Sequence, residues 1–147
     1  LAFMVAAEYY DMPIGGHVMK TDRAIPVRRG DHDIGATKEA IKRLRNGEAL
    51  GIFIQGGIRD VKDKENLKNG VAMLALRTGA TVIPANVSGM NYHPNVIRSL
   101  LRRHRIRITF GPPLDLSAFA GRKGKEALDE ASRKIFDAIK ALAPPQD

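Results

Sequence analysis

The sequence predicts an α/β domain built on a largely parallel, mixed sheet covered by helices. Three observations predict it. Short continuous apolar runs recur at Leu1–Ala7, Leu50–Ile54 and Thr81–Val87, the pattern of strands buried on both faces. Segments of helical period lie between and after them. The 147-residue length suits one domain with a single core.

Each element follows from its residues. Leu1–Ala7 reads as the first buried strand, and Pro13, Gly15 and Gly16 then punctuate the chain. Ala24–Val27 is a short apolar piece whose Pro26 assigns it to a strand end or an edge. Arg28 to Asp33 forms a polar loop. Gly35–Asn46 is an amphipathic helix: Ala36, Ala40, Ile41 and Leu44 mark one face, Lys38, Lys42, Arg43 and Arg45 the other. Asn46-Gly47 stops it. Leu50–Ile54 is the second buried strand, ended by Gln55-Gly56-Gly57, and a charged loop follows over 59–66.

Leu67–Thr78 reads as a helix whose inner side carries Leu67, Val71, Leu74, Ala75 and Thr78, with Gly79 as its stop. Thr81–Val87 is the third strand, and Asn95–Arg103 a short basic helix. Arg105–Phe110 alternates as Arg-Ile-Arg-Ile-Thr-Phe, so a half-buried strand with a basic outer face is expected. Gly124–Leu142 is the last helix, striped by Leu128, Ala131, Ile135, Ala138, Ile139 and Leu142. The expectation is one domain over 1–142, with 143–147 as a disordered tail.

Composition narrows the function. The net charge of +8 favours polyanionic partners: nucleic acid, phosphorylated small molecules or an anionic lipid surface. The absence of Cys removes disulfide scaffolds and Cys-ligated zinc. Aromatic residues make up only 5%, with no Trp, which disfavours nucleic acid as a single-stranded ligand. No run reaches the roughly 18 apolar residues of a membrane-spanning helix. The opening LAFMVAAEYY lacks the basic leader and cleavage site of a signal peptide.

In parallel sheets, ligands bind beyond the carboxyl ends of the strands. Two strand-to-turn segments there carry arginine: Ile25-Pro26-Val27-Arg28-Arg29-Gly30 and Ile52-Phe53-Ile54-Gln55-Gly56-Gly57-Ile58-Arg59. Glycine turns expose backbone N–H groups, and a guanidinium grips phosphate oxygens through two parallel bonds. Arg28, Arg29 and Arg59 are therefore candidates for a phosphate pocket. The same arginines could equally solvate loop tips, and spacing does not separate the two readings.

These motifs, taken with AEYYDMPIGG before them and LKNGVAMLALRTGATVIPANVSG after them, resemble the lysophosphatidate (1-acyl-glycerol-3-phosphate) acyltransferase family across residues 2 to about 117. Ile25-Pro26-Val27-Arg28-Arg29 matches the family's IPVxR motif, with Arg29 on its arginine. The segment Phe53 to Arg59 matches its FPEGTR motif, and Val82-Ile83-Pro84-Ala85 its VIPV motif. Lys68-Asn69-Gly70 is also similar to the family pattern. The resemblance implies transfer of an acyl chain from a thioester donor to a lysophospholipid hydroxyl, at the cytoplasmic face of a membrane, by a peripheral protein. It implies acceptor-phosphate binding by Arg28, Arg29, Gln55, Gly56, Gly57 and Arg59. No cofactor is implied, only a co-substrate: acyl-coenzyme A or acyl carrier protein. A His general base in an H-x4-D motif is also implied, and its place in the family pattern falls before Leu1. The chain starts without Met, so an N-terminally incomplete domain is expected, one that does not transfer acyl groups as it stands.

Two departures matter. Ile54 replaces the motif's Pro, and Gln55 its Glu; Gln keeps hydrogen-bonding capacity but carries no charge. A second expectation follows from them: a catalytically degenerate fold kept as a binding or structural subunit of a membrane protein complex. His17-Val18-Met19-Lys20-Thr21-Asp22 is itself H-x4-D. It follows the first strand rather than preceding it, and roughly one chain in four of this composition carries that spacing by chance. It is read as a loop segment. Asp31-His32-Asp33 is read as a solvated loop rather than a metal site, since adjacent side chains diverge. Asn91-Tyr92-His93-Pro94 is a turn or a pocket mouth. Arg98, Arg102, Arg103, His104, Arg105 and Arg107 form the densest basic stretch, either a solvated face or a contact for anionic headgroups.

Overall fold

The computed structural model describes residues 1–7, 23–28, 33–54, 69–89, 105–122 and 124–144. They fall into two compact units: Leu1–Ala80 with Leu116–Ser132, and Thr81–Asp115 with Arg133–Asp147.

The first unit is built on three parallel strands in the order β2-β1-β3. These are β1 (Ala2–Ala6), β2 (Ile25–Val27) and β3 (Leu50–Gly51). Met4 pairs with Ile25 and Ala6 with Val27; on the other side Ala2 pairs with Leu50 and Phe3 with Gly51. Pro26 thus lies on an edge strand of the described sheet, as expected: an edge has one side where a missing N–H breaks no ladder bond. Gly51 is required by its neighbour, because the Phe3 ring occupies the space where a Cβ would stand. Pairing of β3 stops at Gly51, so the strand is shorter than the apolar run to Ile54 suggested.

Helix α1 (Ile34–Arg45) carries the chain from β2 to β3. Helix α2 (Gly70–Thr78) follows and ends on Gly79, which takes the left-handed conformation (φ 70°) that glycine adopts without strain. Ile25, Ala36, Ala40 and Leu74 form the buried centre, with Met4, Val27, Ile41, Leu44, Leu50, Ile52 and Met73 packed around it. Alanine at 36 and 40 lets α1 approach the sheet closely, and these are two of the face positions expected from spacing. The residues Leu67 and Lys68 of the expected α2 start lie outside the described residues.

The second unit holds β4 (Ala85–Ser88) and β5 (Arg107–Phe110), an antiparallel pair. Ala85 faces Phe110, Asn86 Thr109, Val87 Ile108, and Ser88 Arg107. Two expectations are corrected here. The run Thr81–Val87 does not pair as a third parallel strand. Only Val82 before Pro84 makes a bridge, to Leu114, and the strand proper begins after the proline; proline offers no N–H to a ladder. Nor does β5 hide its apolar side: Ile108 is 54% and Phe110 69% exposed, while Thr109 between them is the more covered residue. The expected helix Asn95–Arg103 lies outside the described residues.

Helix α3 (Lys125–Ala141) gives its first half to one unit and its second half to the other. Ala131 and Ile135 of the expected stripe are buried, joined by Ala127, Ser132 and Phe136, which the expected stripe omitted.

Candidate functional site

The three strands of the first unit are parallel, so the carboxyl ends of β1, β2 and β3 lie along one edge of the sheet. The carboxyl ends of such parallel strands are where open α/β sheets bind ligands. Arg28 follows β2 directly, and the Gln55-to-Arg59 segment follows β3 in the chain.

Helix α1 grips both ends of β2. At the carboxyl end, the Asp33 carboxylate caps the helix: Oδ1 accepts from the Ala36 backbone N–H at 3.0 Å. Its other oxygen, Oδ2, accepts from the Arg28 backbone N–H at 3.1 Å. One side chain therefore pins the two ends of the five-residue step from Arg28 to Asp33. The bond from Ala36, and then the one from Arg28, hold the Asp33 carboxyl below its ordinary range.

At the amino end of β2, Arg43 Nη1 donates to the Arg23 carbonyl at 2.5 Å. Arg23 itself has a positive φ of 53°. The Arg43 guanidinium is oriented by Glu39, with Nε donating to Oε1 at 2.8 Å. That bond, reinforced by the charge of Arg43, holds the Glu39 carboxyl below its ordinary value. Between these clamps Ala24, Ile25 and Pro26 line an open groove of about 260 Å³ against Gly35, Ala36, Glu39 and Arg43 of α1.

A third clamp precedes α2. The Asn69 amide donates from Nδ2 to Asp129 Oδ1 at 2.5 Å, and its Oδ1 accepts from Ser132 Oγ at 2.9 Å. Ser132 is 1% exposed. Asn69 closes, on the chain, the segment that begins at Gln55.

Of the six residues singled out for phosphate binding, Arg28 is described: it is exposed, just past β2, with its backbone fixed by Asp33. Arg29, Gln55, Gly56, Gly57 and Arg59 lie outside the described residues, as do His17, His32, His93 and His104. Among the described residues no group of His, Cys, Asp or Glu is arranged to hold a metal ion. The positioning residues were the part that sequence reasoning missed. Asp33 had a signal, an aspartate immediately before a helix of clear period. Asn69 stood in the Lys68-Asn69-Gly70 piece that is similar to the family pattern, but nothing in the sequence pointed to its partners, which stand 60 and 63 positions away.

Comparison with known proteins agrees with this arrangement. The model of the family described as Acyltransferase matches residues 1–88. A 1-acyl-sn-glycerol-3-phosphate acyltransferase of Bacillus subtilis is 29% identical over 140 residues, covering 95% of this chain and 67% of that protein. The Streptococcus pneumoniae protein of the same name is 27% identical over 115 residues, 78% of this chain and 41% of its own length. The crystal structure of the 1-acyl-sn-glycerophosphate acyltransferase of Thermotoga maritima superposes with a TM-score of 0.58 at 20% identity, over 96% of this chain and 55% of that one. That likeness concerns the fold. The chain spans between two fifths and two thirds of these proteins.

Proposed function

The chain belongs to the acyltransferase family, and from that premise we propose that it takes part in acyl transfer from a thioester to the hydroxyl of a lysophospholipid, as in phospholipid synthesis. The observation that carries this reading is the edge built by the parallel β2-β1-β3 sheet, where Arg28 is fixed by Asp33 beyond β2. Two curated relatives named for lysophosphatidate acylation support the acceptor class.

In the proposed reaction the acceptor hydroxyl attacks the thioester carbonyl. A C–O bond forms, the C–S bond breaks, and the hydroxyl proton ends on the departing thiol. The donor is acyl-coenzyme A or acyl carrier protein, and no cofactor enters. Arg29 and Arg59 hold the acceptor's phosphate, with Arg28 and the Gln55-Gly56-Gly57 backbone beside it. Guanidinium groups suit this because their planar fork matches two phosphate oxygens. Gln55 contributes a hydrogen bond without charge, so it adds no repulsion against the phosphate. No described side chain is assigned the removal of the hydroxyl proton. On this reading the protein meets its lipid acceptor at a membrane surface, as a peripheral protein of the cytoplasmic face.

The test is thiol release from an acyl thioester by the intact protein, with lysophosphatidate as acceptor. An arginine–phosphate hydrogen bond contributes about 1.5–3 kcal/mol. Arg59→Ala should therefore lower kcat/KM for the acceptor roughly tenfold to a hundredfold, mostly through KM. Turnover unchanged in Arg59→Ala and in Arg29→Ala would remove the phosphate-binding assignment.

A further inference from the structure

Asp33 does more than a helix cap requires. Capping takes one side-chain oxygen, on an N–H in the first turn of the helix, and Oδ1 fills that role on Ala36. Oδ2 is left for a second donor, and it takes the Arg28 backbone N–H, five residues back along the chain. Arg28 is the first residue past β2, beyond Val27, the last residue paired with β1. The carboxylate thus gives a partner to a backbone donor that lies just beyond the ladder.

Both ends of that tie rest on rigid elements. Ile25 anchors β2, and Ala36 and Ala40 anchor α1, in the same buried cluster. Gly35 leaves room for the carboxylate, since a Cβ there would stand 3.3 Å from Oδ1, closer than ordinary contact. Hydrogen bonds to an ionised acceptor are roughly twice as strong as neutral ones, and the backbone donors hold this carboxyl in its ionised form. A carboxylate beside an arginine would compete with a phosphate for it. Here the carboxylate oxygens are directed onto backbone N–H groups, and Arg28 stays exposed.

We propose that Asp33 is a positioning residue for acceptor binding: its carboxylate ties the Arg28 backbone to the start of α1, and so sets where the arginines that follow β2 meet the acceptor's phosphate. This role rests on the phosphate-binding reading given above, since Asp33 acts through those arginines. A misplacement of about 1 Å costs up to about a hundredfold.

Serine separates the two duties of Asp33. It caps helices about as well as aspartate, but its one short hydroxyl cannot also reach Arg28. The assay is thiol release by the intact protein at saturating donor, with lysophosphatidate varied and with the phosphate-free monoacylglycerol as a second acceptor. Asp33→Ser should raise KM for lysophosphatidate at least about fivefold and leave kcat within about twofold, the mark of lost binding. Its kcat/KM for monoacylglycerol should not change. Asp33→Ala, which also loses the cap, should raise KM equally while its Tm falls further. Lys38→Gly, on the exposed side of α1, should lower Tm and leave KM alone. In an Arg28→Ala, Arg29→Ala background, Asp33→Ser should add nothing to KM.

A smaller KM rise in Asp33→Ser, or an equal rise for both acceptors, overturns the positioning role; the phosphate-binding reading then stands if Arg29→Ala still raises KM for lysophosphatidate alone. A rise in Lys38→Gly as large as in Asp33→Ser makes the effect one of stability and also overturns the role. No thiol release by the wild type, or no effect of Arg28→Ala with Arg29→Ala on either acceptor, overturns the reading and the role together.

Discussion

Removal of the Asn69–Ser132 contact gives a prediction whose size follows from burial. Ser132 is 1% exposed and donates to Asn69 at 2.9 Å; Asn69 also donates to Asp129 at 2.5 Å. Ser132→Ala loses one hydrogen bond and leaves an acceptor on a half-buried residue that water still reaches, a loss of about 0.5–1.5 kcal/mol. Asn69→Ala is worse. It removes both bonds and strands the buried Ser132 hydroxyl, whose uncompensated desolvation alone costs about 1–3 kcal/mol, for an expected total of about 2–3 kcal/mol. At roughly 2–4 °C per kcal/mol, Asn69→Ala should lower Tm by about 4–12 °C. The double variant removes donor and acceptor together, so the stranding penalty disappears. A double-mutant cycle by urea unfolding should therefore be less than additive, by about 1–2 kcal/mol. An unchanged m-value would certify that only stability moved. If Asn69→Ala costs the same in the wild type and in the Ser132→Ala background, the two side chains are not coupled and the clamp as described is wrong.

Two further outcomes are expected. Asp33 is held below its ordinary value of 3.8 by backbone N–H donors, so its carboxylate stabilises the folded state fully above 3.8, and this contribution is lost as the pH falls through the lowered folded value. Asp33→Asn should then be less stable than the wild type at neutral pH, with the gap closing only in that acid window; unfolding curves measured down the pH series that keep a constant gap would refute the charge's role. Gly89 has φ 83°, and a Cβ there would meet the Arg105 carbonyl. Gly89→Ala should cost more than the roughly 1–3 kcal/mol of backbone strain alone, and a Tm within 1 °C of the wild type would show that the backbone at Gly89 is free to rearrange.

The parts legible in the sequence are those decided locally. Ala36, Ala40, Ile41 and Leu44 sit at helical spacing, and α1 spans Ile34–Arg45 with that face on the core. The two apolar runs at Leu1–Ala7 and Leu50–Ile54 contain β1 and β3, and Pro26 lies on an edge strand as its missing N–H requires. The position of Arg28 just past β2 was legible as well, because the apolar piece Ala24–Val27 ends immediately before it. Positioning was harder. The capping aspartate could have been read from its place before α1, but its second bond to the Arg28 backbone depends on how loop and helix fold back on each other.

The β4–β5 ribbon shows where local reasoning stops. Alternation in Arg105–Phe110 states which residues share a face, and the structure keeps that: Ile108 and Phe110 lie on one side, Arg107 and Thr109 on the other. Alternation does not state which face is covered. That is decided by what packs on the ribbon, through residues far away in sequence or through a partner that the chain does not contain. An apolar face should be covered when the protein supplies the cover, so its exposure in Ile108 and Phe110 carries information that the period alone could not. The inward expectation for these residues assumed a cover made of protein. The consequence is specific: Ile108→Ser should leave the unfolding free energy within about 0.5 kcal/mol of the wild type, because Ile108 is 54% exposed and no core is disturbed. A loss of stability from Ile108→Ser comparable to a core truncation, about 2 kcal/mol or more, would mean that the face is buried by the protein itself.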